Sequence, residues 1–244
     1  MIARVLASDA AAVGQLVVLG ADEASYVGRV LRLRPGGALR VFDGRGHEWT
    51  ATLTSLGGDR AEVRLGADVA PAPEPHVRYT VAPAVLKGDA TDDVVRDAVM
   101  MGAVRLRPFV ATRSGVRLAT VARGARQPRW QRVAVASARQ CGRAVVPVID
   151  PPVGFDEVLA TAAGELRLLL VEPGVGGEAM AAAALPRPAA VTLAIGPEGG
   201  WTAEEIAASQ AAGWTLVRLG LRTVRAAAMA LVALAACQAV WNDA

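Results

Sequence analysis

Strand and helix patterns alternate from Tyr79 to the end of the chain, and this alternation constrains the fold more than any other feature. Apolar runs of strand length are each followed by a segment with helical spacing. Such alternation favours a mostly parallel sheet covered on both faces, and hence an α/β fold. The predicted strands are residues 79–85, 104–109, 145–148, 166–172, 191–195 and 215–219, and the predicted helices are 91–101, 128–141, 155–163, 203–212 and 225–241.

The N-terminal part has a different pattern, with short strands and glycine turns that predict a small β-barrel. Strands are predicted at 15–19 and 38–42, a hairpin turn at Asp43-Gly44, further strands around 48–53 and 61–65, and one helix at 22–31. In the strand after the turn, alternation predicts Trp49, Ala51 and Leu53 on the core face and Glu48, Thr50 and Thr52 on the solvent face.

A proline-rich stretch at residues 70–75 separates the two patterns. Proline stiffens a connector, so we predict a barrel at 1–69, a linker at 70–77 and an α/β domain at 78–244. The segment 178–190 is rich in alanine and proline, and we predict a loop or an irregular helix there.

Composition excludes several classes of protein. The two cysteines, Cys141 and Cys237, are far apart and suit neither a disulfide framework nor a metal site, so we expect a cytoplasmic protein without metal. The apolar run Ala226–Trp241 is too short to cross a membrane. All but one of the 26 basic residues are arginines, Lys87 being the exception, although the net charge is only +3.

The most informative segment is Ile195-Gly196-Pro197-Glu198-Gly199-Gly200, which follows a predicted strand and precedes a helix. Thr202 and Glu205 have the spacing of a capping box, so the helix is predicted to begin at Ala203, and Gly213 is placed to end it. Glycines beside a helix N-terminus predict a nucleotide-type pocket. The spacing matches neither a dinucleotide fingerprint nor a P-loop, and a purely structural turn stays open.

A second glycine-containing segment, Leu219-Gly220-Leu221-Arg222-Thr223-Val224-Arg225, follows the next predicted strand. We therefore expect the two segments to form two walls of one pocket.

These segments together resemble the RsmE family, bacterial enzymes that methylate the imide nitrogen, N(3), of a uridine in 16S ribosomal RNA. The resemblance covers nearly the whole chain and includes Tyr26–Arg32, Phe42-Asp43-Gly44, Lys87-Gly88-Asp89 and Gln140-Cys141-Gly142-Arg143. It implies a PUA-like RNA-binding barrel followed by a SPOUT α/β domain with a trefoil knot, a homodimer, and S-adenosylmethionine (SAM) as cofactor. The implied cofactor-binding residues are Leu170, Glu172, Ile195, Gly196, Pro197, Gly199, Gly200, Leu219, Gly220, Leu221 and Val224.

Methyl transfer to an imide nitrogen requires stabilisation of the anion that forms, and we assign this role to Arg225 as the catalytic residue. An RNA phosphate or a partner subunit is the alternative ligand of Arg225. Glu198 is expected either to orient the substrate or to hold the loop backbone. The residues expected to contact substrate RNA are Arg29, Arg32, Lys87, Arg113, Arg143 and Glu198.

Two departures from the family pattern bear on function. Met100 and Met101 replace an acidic residue and a leucine, and Ala226-Ala227-Ala228 replaces a polar stretch that usually carries a glutamate. A non-catalytic RNA- or ribosome-binding protein on the same fold therefore stays a second hypothesis. A nucleotide-dependent oxidoreductase would need a G-x-G-x-x-G turn after residues 79–85, which this chain lacks.

Overall fold

A computed structural model describes residues 2–160, 166–180 and 186–243. The chain divides into two compact units. The first contains the chain up to Pro73 together with Val135–Val146, and the second contains Glu74–Ala134 together with the chain from Pro147 onward.

The first unit is a curled five-stranded sheet, as the N-terminal pattern predicted. Its strands are β1 (Arg4–Leu6), β2 (Leu16–Leu19), β3 (Ala38–Phe42), β4 (Glu48–Gly57) and β5 (Arg60–Val69), in the spatial order β1-β3-β4-β5-β2. Trp49, Ala51 and Leu53 are buried in its core, as expected. The predicted helix is α1 (Ala21–Ser25), which continues as a π-helical turn at Tyr26–Val30.

Glu48 is only 3% exposed although it points away from the core face of β4, so the prediction that it faces solvent was wrong. Its carboxylate accepts hydrogen bonds from Nε and Nη2 of Arg4, at 3.0 and 2.8 Å. Arg4 is itself buried, and the two charges compensate each other inside the unit. Alternation alone cannot reveal such a pair, because the partner is 44 residues away in the sequence.

Val135–Val146 belongs to the first unit and not, as the predicted boundaries had it, to the α/β domain. The guanidinium of Arg4 explains the placement, because it donates to the carbonyl oxygens of Ala138, Arg139 and Arg143. The carbonyls of Ala138 and Arg139 are in the last turn of a helix, where carbonyl groups have no backbone partner within the helix and where a cation is favoured.

The second unit contains the predicted alternation of strands and helices. Its strands are β6 (Arg78–Pro83), β7 (Arg105–Leu106), β8 (Phe109–Val110), β9 (Val148–Ile149), β10 (Val153–Gly154), β11 (Leu166–Leu170), β12 (Glu178–Ala179), β13 (Ala190–Ile195) and β14 (Thr215–Arg218). Its helices are α2 (Ala90–Met100), α3 (Leu118–Arg123), α4 (Arg126–Cys141, which extends into the first unit's segment), α5 (Phe155–Ala160), α6 (Ala203–Ala211) and α7 (Ala226–Trp241).

Seven of these strands form one parallel sheet in the order β12-β14-β11-β13-β6-β7-β9. The predicted parallel sheet is therefore confirmed. The predicted strand at 104–109 is two short strands, β7 and β8, because Pro108 stands between them. The predicted irregular segment at 178–190 begins with strand β12; residues 181–185, like the last residues of the predicted helix at 155–163, lie outside the described residues.

No helix within the described ranges is long and apolar enough to cross a membrane.

Asp243 joins the end of the chain to the start of β6. Its carboxylate accepts the backbone N–H groups of His76 and Val77, at 2.8 and 3.0 Å, and the hydroxyl of Tyr79, at 3.0 Å. Burial raises the pKa of Asp243, but the hydrogen bonds from Val77, His76 and Tyr79 outweigh it and hold the pKa below its usual range. The ionised carboxylate therefore stabilises the fold.

We expect Asp243→Asn to lower the free energy of unfolding by about 1–3 kcal/mol, because an amide accepts fewer and weaker hydrogen bonds than a carboxylate. Since the folded pKa is depressed, the contribution is fully present above the unfolded value of 3.8 and is lost as the pH falls through the folded value. Urea unfolding at several pH values measures both effects. A stability difference between the two proteins that persisted unchanged into strong acid would contradict this assignment.

Candidate active site

The carboxyl ends of three neighbouring strands meet on one edge of the large sheet. Strand β11 lies between β13 and β14, and Leu170 at its end is in register with Ile195 of β13 and Val217 of β14. Strand β13 pairs with one side of β11, and β14, the next strand along the chain, pairs with the other side. Ligands of open α/β sheets bind at such a change of direction, outside the carboxyl ends of the strands.

A cavity of about 500 Å³ opens at this point. This volume is within the usual range for small-ligand sites. The walls come from the three strand-end segments, from the end of β6 with α2, and from the start of α7. The lining residues are Leu86, Ala90, Asp93, Leu170, Val171, Glu172, Pro173, Ile195, Gly196, Pro197, Glu198, Trp201, Leu219, Arg222, Thr223, Val224, Arg225, Ala226, Ala227 and Met229.

Trp201 ties two of these walls together. Its indole Nε1 donates to the carbonyl oxygen of Leu170 at 2.8 Å, and its ring stacks on Phe109. A Cβ atom at Gly196 would lie 2.9 Å from that Nε1, so only glycine fits above the indole. Packing against Trp201 therefore accounts for glycine at this position, and the approach of a ligand to its backbone stays a prediction.

Helix α6 begins where the capping box predicted. The N–H of Glu205 donates to Thr202 Oγ1 at 3.1 Å, and the N–H of Thr202 donates to Glu205 Oε2 at 3.0 Å. The other carboxylate oxygen of Glu205 accepts the N–H of Thr112 at 2.8 Å. Gly213 follows the helix with a φ of +79°, as predicted for a C-terminal cap.

Arg113 holds the glycine-rich loop from outside the cavity. Its Nη1 donates to the carbonyl oxygens of Trp201, at 3.0 Å, and Gly199, at 3.4 Å. A Cβ atom at Gly199 would lie 2.9 Å from the backbone oxygen of Arg113, so the contact needs glycine. The structure therefore gives Arg113 a role in fixing the loop, whereas the sequence analysis expected it to contact RNA.

Glu198 holds the same loop from the other side, and its Oε1 accepts the backbone N–H of Lys87 at 3.2 Å. This contact matches the loop-holding alternative in the sequence analysis. The side chain of Lys87 lies exposed across Gly115 and has no ion pair within the part of the chain that the structure describes. Its ammonium group is thus available near the edge of the site.

Glu172 follows β11 and presents its carboxylate to the cavity wall. One oxygen, Oε1, lies against Gly200, whose φ of +69° is in the left-handed region that favours glycine. The other oxygen, Oε2, is buried and has no hydrogen-bond partner among the described residues. A buried carboxylate oxygen without a partner is costly, and a ligand that donates a hydrogen bond there would relieve it.

Arg225 stands at the N-terminus of α7. Its carbonyl oxygen accepts the N–H groups of Ala228 and Met229, which anchors the residue, while the side chain is exposed at the cavity. No ion pair of Arg225 is found within the described ranges. A cation beside a helix N-terminus creates a local positive potential suited to an anion.

The structure brings most of the predicted cofactor residues together. Leu170, Glu172, Ile195, Gly196, Pro197, Leu219 and Val224 line the cavity, as do Glu198 and Arg225. Gly199 and Gly200 lie behind the wall against Arg113 and Glu172, and Gly220 and Leu221 are outside the lining. Leu221 is 80% exposed, so its side chain does not face the cavity.

The three arginines of the first unit that were predicted to contact RNA differ in their exposure to solvent. Arg29 and Arg32 are exposed, and Arg29 has one weak, solvent-exposed ion pair with Asp59 at 3.7 Å. Arg143 is only 4% exposed, so its guanidinium is not presented at the surface, and its contact with RNA stays a prediction that this burial does not favour. The carbonyl oxygen of Arg143 accepts a hydrogen bond from Arg4, 139 residues away in the sequence, so the burial of Arg143 could not be predicted from local patterns.

Several lining residues were missed in the sequence analysis, among them Asp93 and Arg222. Helical spacing gives one available signal: Ala90 and Asp93 are three residues apart and share a face of α2, which begins three residues after Lys87. Arg222 is one of 25 arginines in the chain, so residue type alone does not distinguish it.

Comparison with known proteins identifies the class. A family model for an RNA methyltransferase domain matches residues 73–238, and a model for an RNA methyltransferase PUA domain matches residues 19–66. The chain is thus a member of the RNA methyltransferases that carry a PUA domain.

The particular family follows from the relatives. A protein of Synechocystis named ribosomal RNA small subunit methyltransferase E is 33% identical over 92% of this chain and 73% of its own length. A protein of the same name from Mycobacterium tuberculosis is 32% identical over 94% of this chain and 89% of its own. The chain belongs to the ribosomal RNA small subunit methyltransferase E family, which confirms the resemblance to the RsmE family.

Two solved structures are similar to the whole chain. That of the Neisseria gonorrhoeae small subunit methyltransferase E, bound to SAM, has a TM-score of 0.88 and 30% identity, covering 99% of this chain and 98% of its own. A Legionella pneumophila structure described as a methyltransferase with bound SAM has a TM-score of 0.91 and 27% identity, with the same coverage of both chains.

Proposed function

We propose that this protein transfers a methyl group from SAM to the N(3) imide nitrogen of a specific uridine in 16S ribosomal RNA of the small subunit or its precursor. The observation that carries the proposal is the cavity of about 500 Å³ formed where the ends of β11, β13 and β14 meet, with Arg225 at its edge. Family membership supports the choice of cofactor and of ribosomal RNA. Because ribosomes are assembled in the bacterial cytoplasm, we propose that the protein acts there.

The residues of the cavity fit the cofactor. Apolar side chains, including Leu170, Ile195 and Leu219, suit an adenine ring, and the backbone of the glycine-rich loop suits close approach. The unpartnered Oε2 of Glu172 suits the hydroxyl and ammonium donors that SAM carries. Bound SAM supplies an already activated methyl group, so the protein must mainly provide position and electrostatics.

The chain's own residues shape the cavity and stabilise the charge that develops during the reaction. Trp201 and Arg113 fix the glycine-rich loop, so the cavity is formed before a ligand arrives. Arg225, together with the N-terminus of α7, stabilises the negative charge that develops on the imide nitrogen as it loses its proton. The trefoil knot that the resemblance implies stays a prediction for this chain.

The exposed arginines of the first unit support RNA binding. Arg32 holds a φ of +54°, an uncommon conformation for a residue other than glycine, directly after the π-helical turn that carries Arg29. Both side chains are exposed, and arginine forks match phosphate geometry. We propose that the two residues bind the RNA backbone.

The double variant Arg29→Ala/Arg32→Ala should flatten the salt dependence of RNA binding. Each lost phosphate contact lowers the slope of log K against log salt by roughly 0.7–0.9, so a decrease of about 1.5 is expected. Filter binding to 16S RNA fragments between low and moderate salt measures the slope. A slope equal to that of the unaltered protein would show that neither arginine contacts phosphate.

Helix α7 supports a homodimer. Its 16 residues carry no charge, yet Leu231, Val232 and Val240 are 41%, 37% and 41% exposed. A charge-free helix with an exposed apolar face needs a covering surface. We propose that a second copy of the chain provides it.

Leu231→Glu is therefore expected to convert the dimer to a monomer, because it places a charge in the apolar contact. Analytical ultracentrifugation measures the change. Leu16→Glu is the control, since Leu16 is also exposed but lies on β2 of the first unit. A monomer before any substitution, or a dimer after Leu231→Glu, would contradict the proposed interface.

A non-catalytic RNA-binding role is the second candidate. It is favoured by one observation: Ala226 and Ala227 line the cavity, so the start of α7 offers no carboxylate there. Titration calorimetry with SAM discriminates the two functions. Micromolar binding with turnover supports the enzyme, whereas the absence of SAM binding supports the second candidate.

A further inference from the structure

The proton on the imide nitrogen must leave during methylation, and the cavity offers one carboxylate suited to receive it. We propose that Asp93, on α2, is the proton acceptor for the substrate uridine. This inference rests on the proposed function.

Asp93 lies on the side of the cavity that the cofactor segments leave free. There α2 contributes Ala90 and Asp93, and the start of α7 contributes Arg225, Ala226 and Ala227. Gln238 of α7 donates to the carbonyl oxygen of Met101 at 2.8 Å, just past the end of α2, which ties the two helices together. The carboxylate of Asp93 and the guanidinium of Arg225 therefore line the same cavity.

The contacts of Asp93 leave it able to accept a proton. Its Oδ1 accepts a hydrogen bond from Nη1 of Arg96 at 2.8 Å, one turn further along α2. The side chain is 53% exposed, so this ion pair is weak and exchanges with water. Solvent access also gives the proton a path away after the reaction.

The other two carboxylates that line the cavity, Glu172 and Glu198, have different surroundings. Glu198 accepts the backbone N–H of Lys87 and so holds the loop. Glu172 has one oxygen against Gly200 and the other buried at the end of β11, on the cofactor side. Among the described residues that line the cavity, Asp93 is the remaining carboxylate.

The reaction balances with Asp93 in this role. The N(3)–H proton passes to a carboxylate oxygen of Asp93, and the nitrogen forms a bond to the methyl carbon. The bond from that carbon to sulfur breaks, and its electron pair stays on sulfur, which loses its positive charge. Asp93 then releases the proton to water. Arg225 stabilises the anionic nitrogen in the transition state.

The first test compares Asp93→Asn with Asp97→Asn. Asp97 is on the same helix and pairs with the same Arg96, at 3.0 Å, but lies outside the cavity lining. General-base catalysis contributes on the order of 10²-fold or more, so we expect that loss in single-turnover rate for Asp93→Asn and a change of at most about twofold for Asp97→Asn. SAM affinity by calorimetry and RNA affinity by filter binding should be unchanged in both.

The second test alters the substrate. An RNA fragment whose target uridine is replaced by 5-fluorouridine has a more acidic imide, which needs less help from a base. The deficit of Asp93→Asn should shrink with this RNA and also at higher pH. Arg96 pairs with both Asp93 and Asp97, and Asp89 and Asp92 near the start of α2 pair with Arg129. Arg222, Arg225, Glu172 and Glu198 share the cavity lining with Asp93. All of these charged groups are retained in the variant, so the pH profile reports the missing carboxylate.

The third test moves the carboxylate. Ala227 lines the same wall, so Ala227→Glu in the Asp93→Asn background should restore part of the rate. An Asp93→Asn protein that turns over as fast as the unaltered one, or that loses SAM binding in step with turnover, would overturn the assignment. The proposed function would survive either result, because it fails only if the unaltered protein methylates no uridine.

Discussion

Arg225→Ala is expected to lower the single-turnover methylation rate by roughly 10²–10³-fold, because it removes a fixed cation from the place where negative charge develops. Affinity for SAM should be nearly unchanged, since the apolar and glycine-rich walls stay in place. Rapid-quench kinetics with saturating RNA, together with calorimetry for SAM, separates the two quantities.

Arg225→Lys and Arg123→Ala are the matched comparisons. Lysine keeps the charge but not the planar fork, so an intermediate rate is expected. Arg123 is exposed at the end of α3, away from the cavity, and its replacement should leave the rate unchanged. A rate for Arg225→Ala equal to that of the unaltered protein would remove Arg225 from catalysis and favour its alternative roles.

Gly200→Ala is expected to weaken SAM binding by at least about tenfold, which corresponds to 1.4 kcal/mol. Two effects act together. A residue with a Cβ atom is strained at a φ of +69°, and the added Cβ would meet Oε1 of Glu172. The carboxylate must move, so its free oxygen no longer faces the ligand. Calorimetry measures the affinity.

Gly14→Ala separates the two effects. Gly14 has a φ of +84° but nothing within 4 Å of the added Cβ, so it introduces backbone strain without displacing a neighbour. It should lower thermal stability and leave SAM affinity unchanged. If Gly200→Ala bound SAM as tightly as the unaltered protein, Glu172 would have no part in cofactor binding.

Local patterns predicted much of the fold because helix caps and strand faces are determined by residues close together in the sequence. The capping box of Thr202 and Glu205 and the alternation of Trp49, Ala51 and Leu53 depend on spacings of two or three residues, and the structure contains them. The glycine-rich segments were placed at strand ends for the same reason, and they do meet.

Contacts between distant residues could not be predicted in this way. The burial of Glu48 depends on Arg4, and the engagement of Arg113 depends on Trp201, 88 residues further along the chain. The sequence did not indicate Asp93, because the position of α2 beside the cavity depends on the order of the strands in the sheet. The order β14-β11-β13 is not sequential, and no local pattern encodes it.

The most direct test of the account is methylation in a defined system. Purified protein is incubated with SAM carrying a deuterated methyl group and with small ribosomal subunits from a strain that lacks the protein, and the RNA is then digested and analysed by mass spectrometry. The account predicts one deuterated methyl group on the N(3) nitrogen of one uridine in 16S RNA. No label in the RNA, or label on a ribose or on a different base, would contradict it.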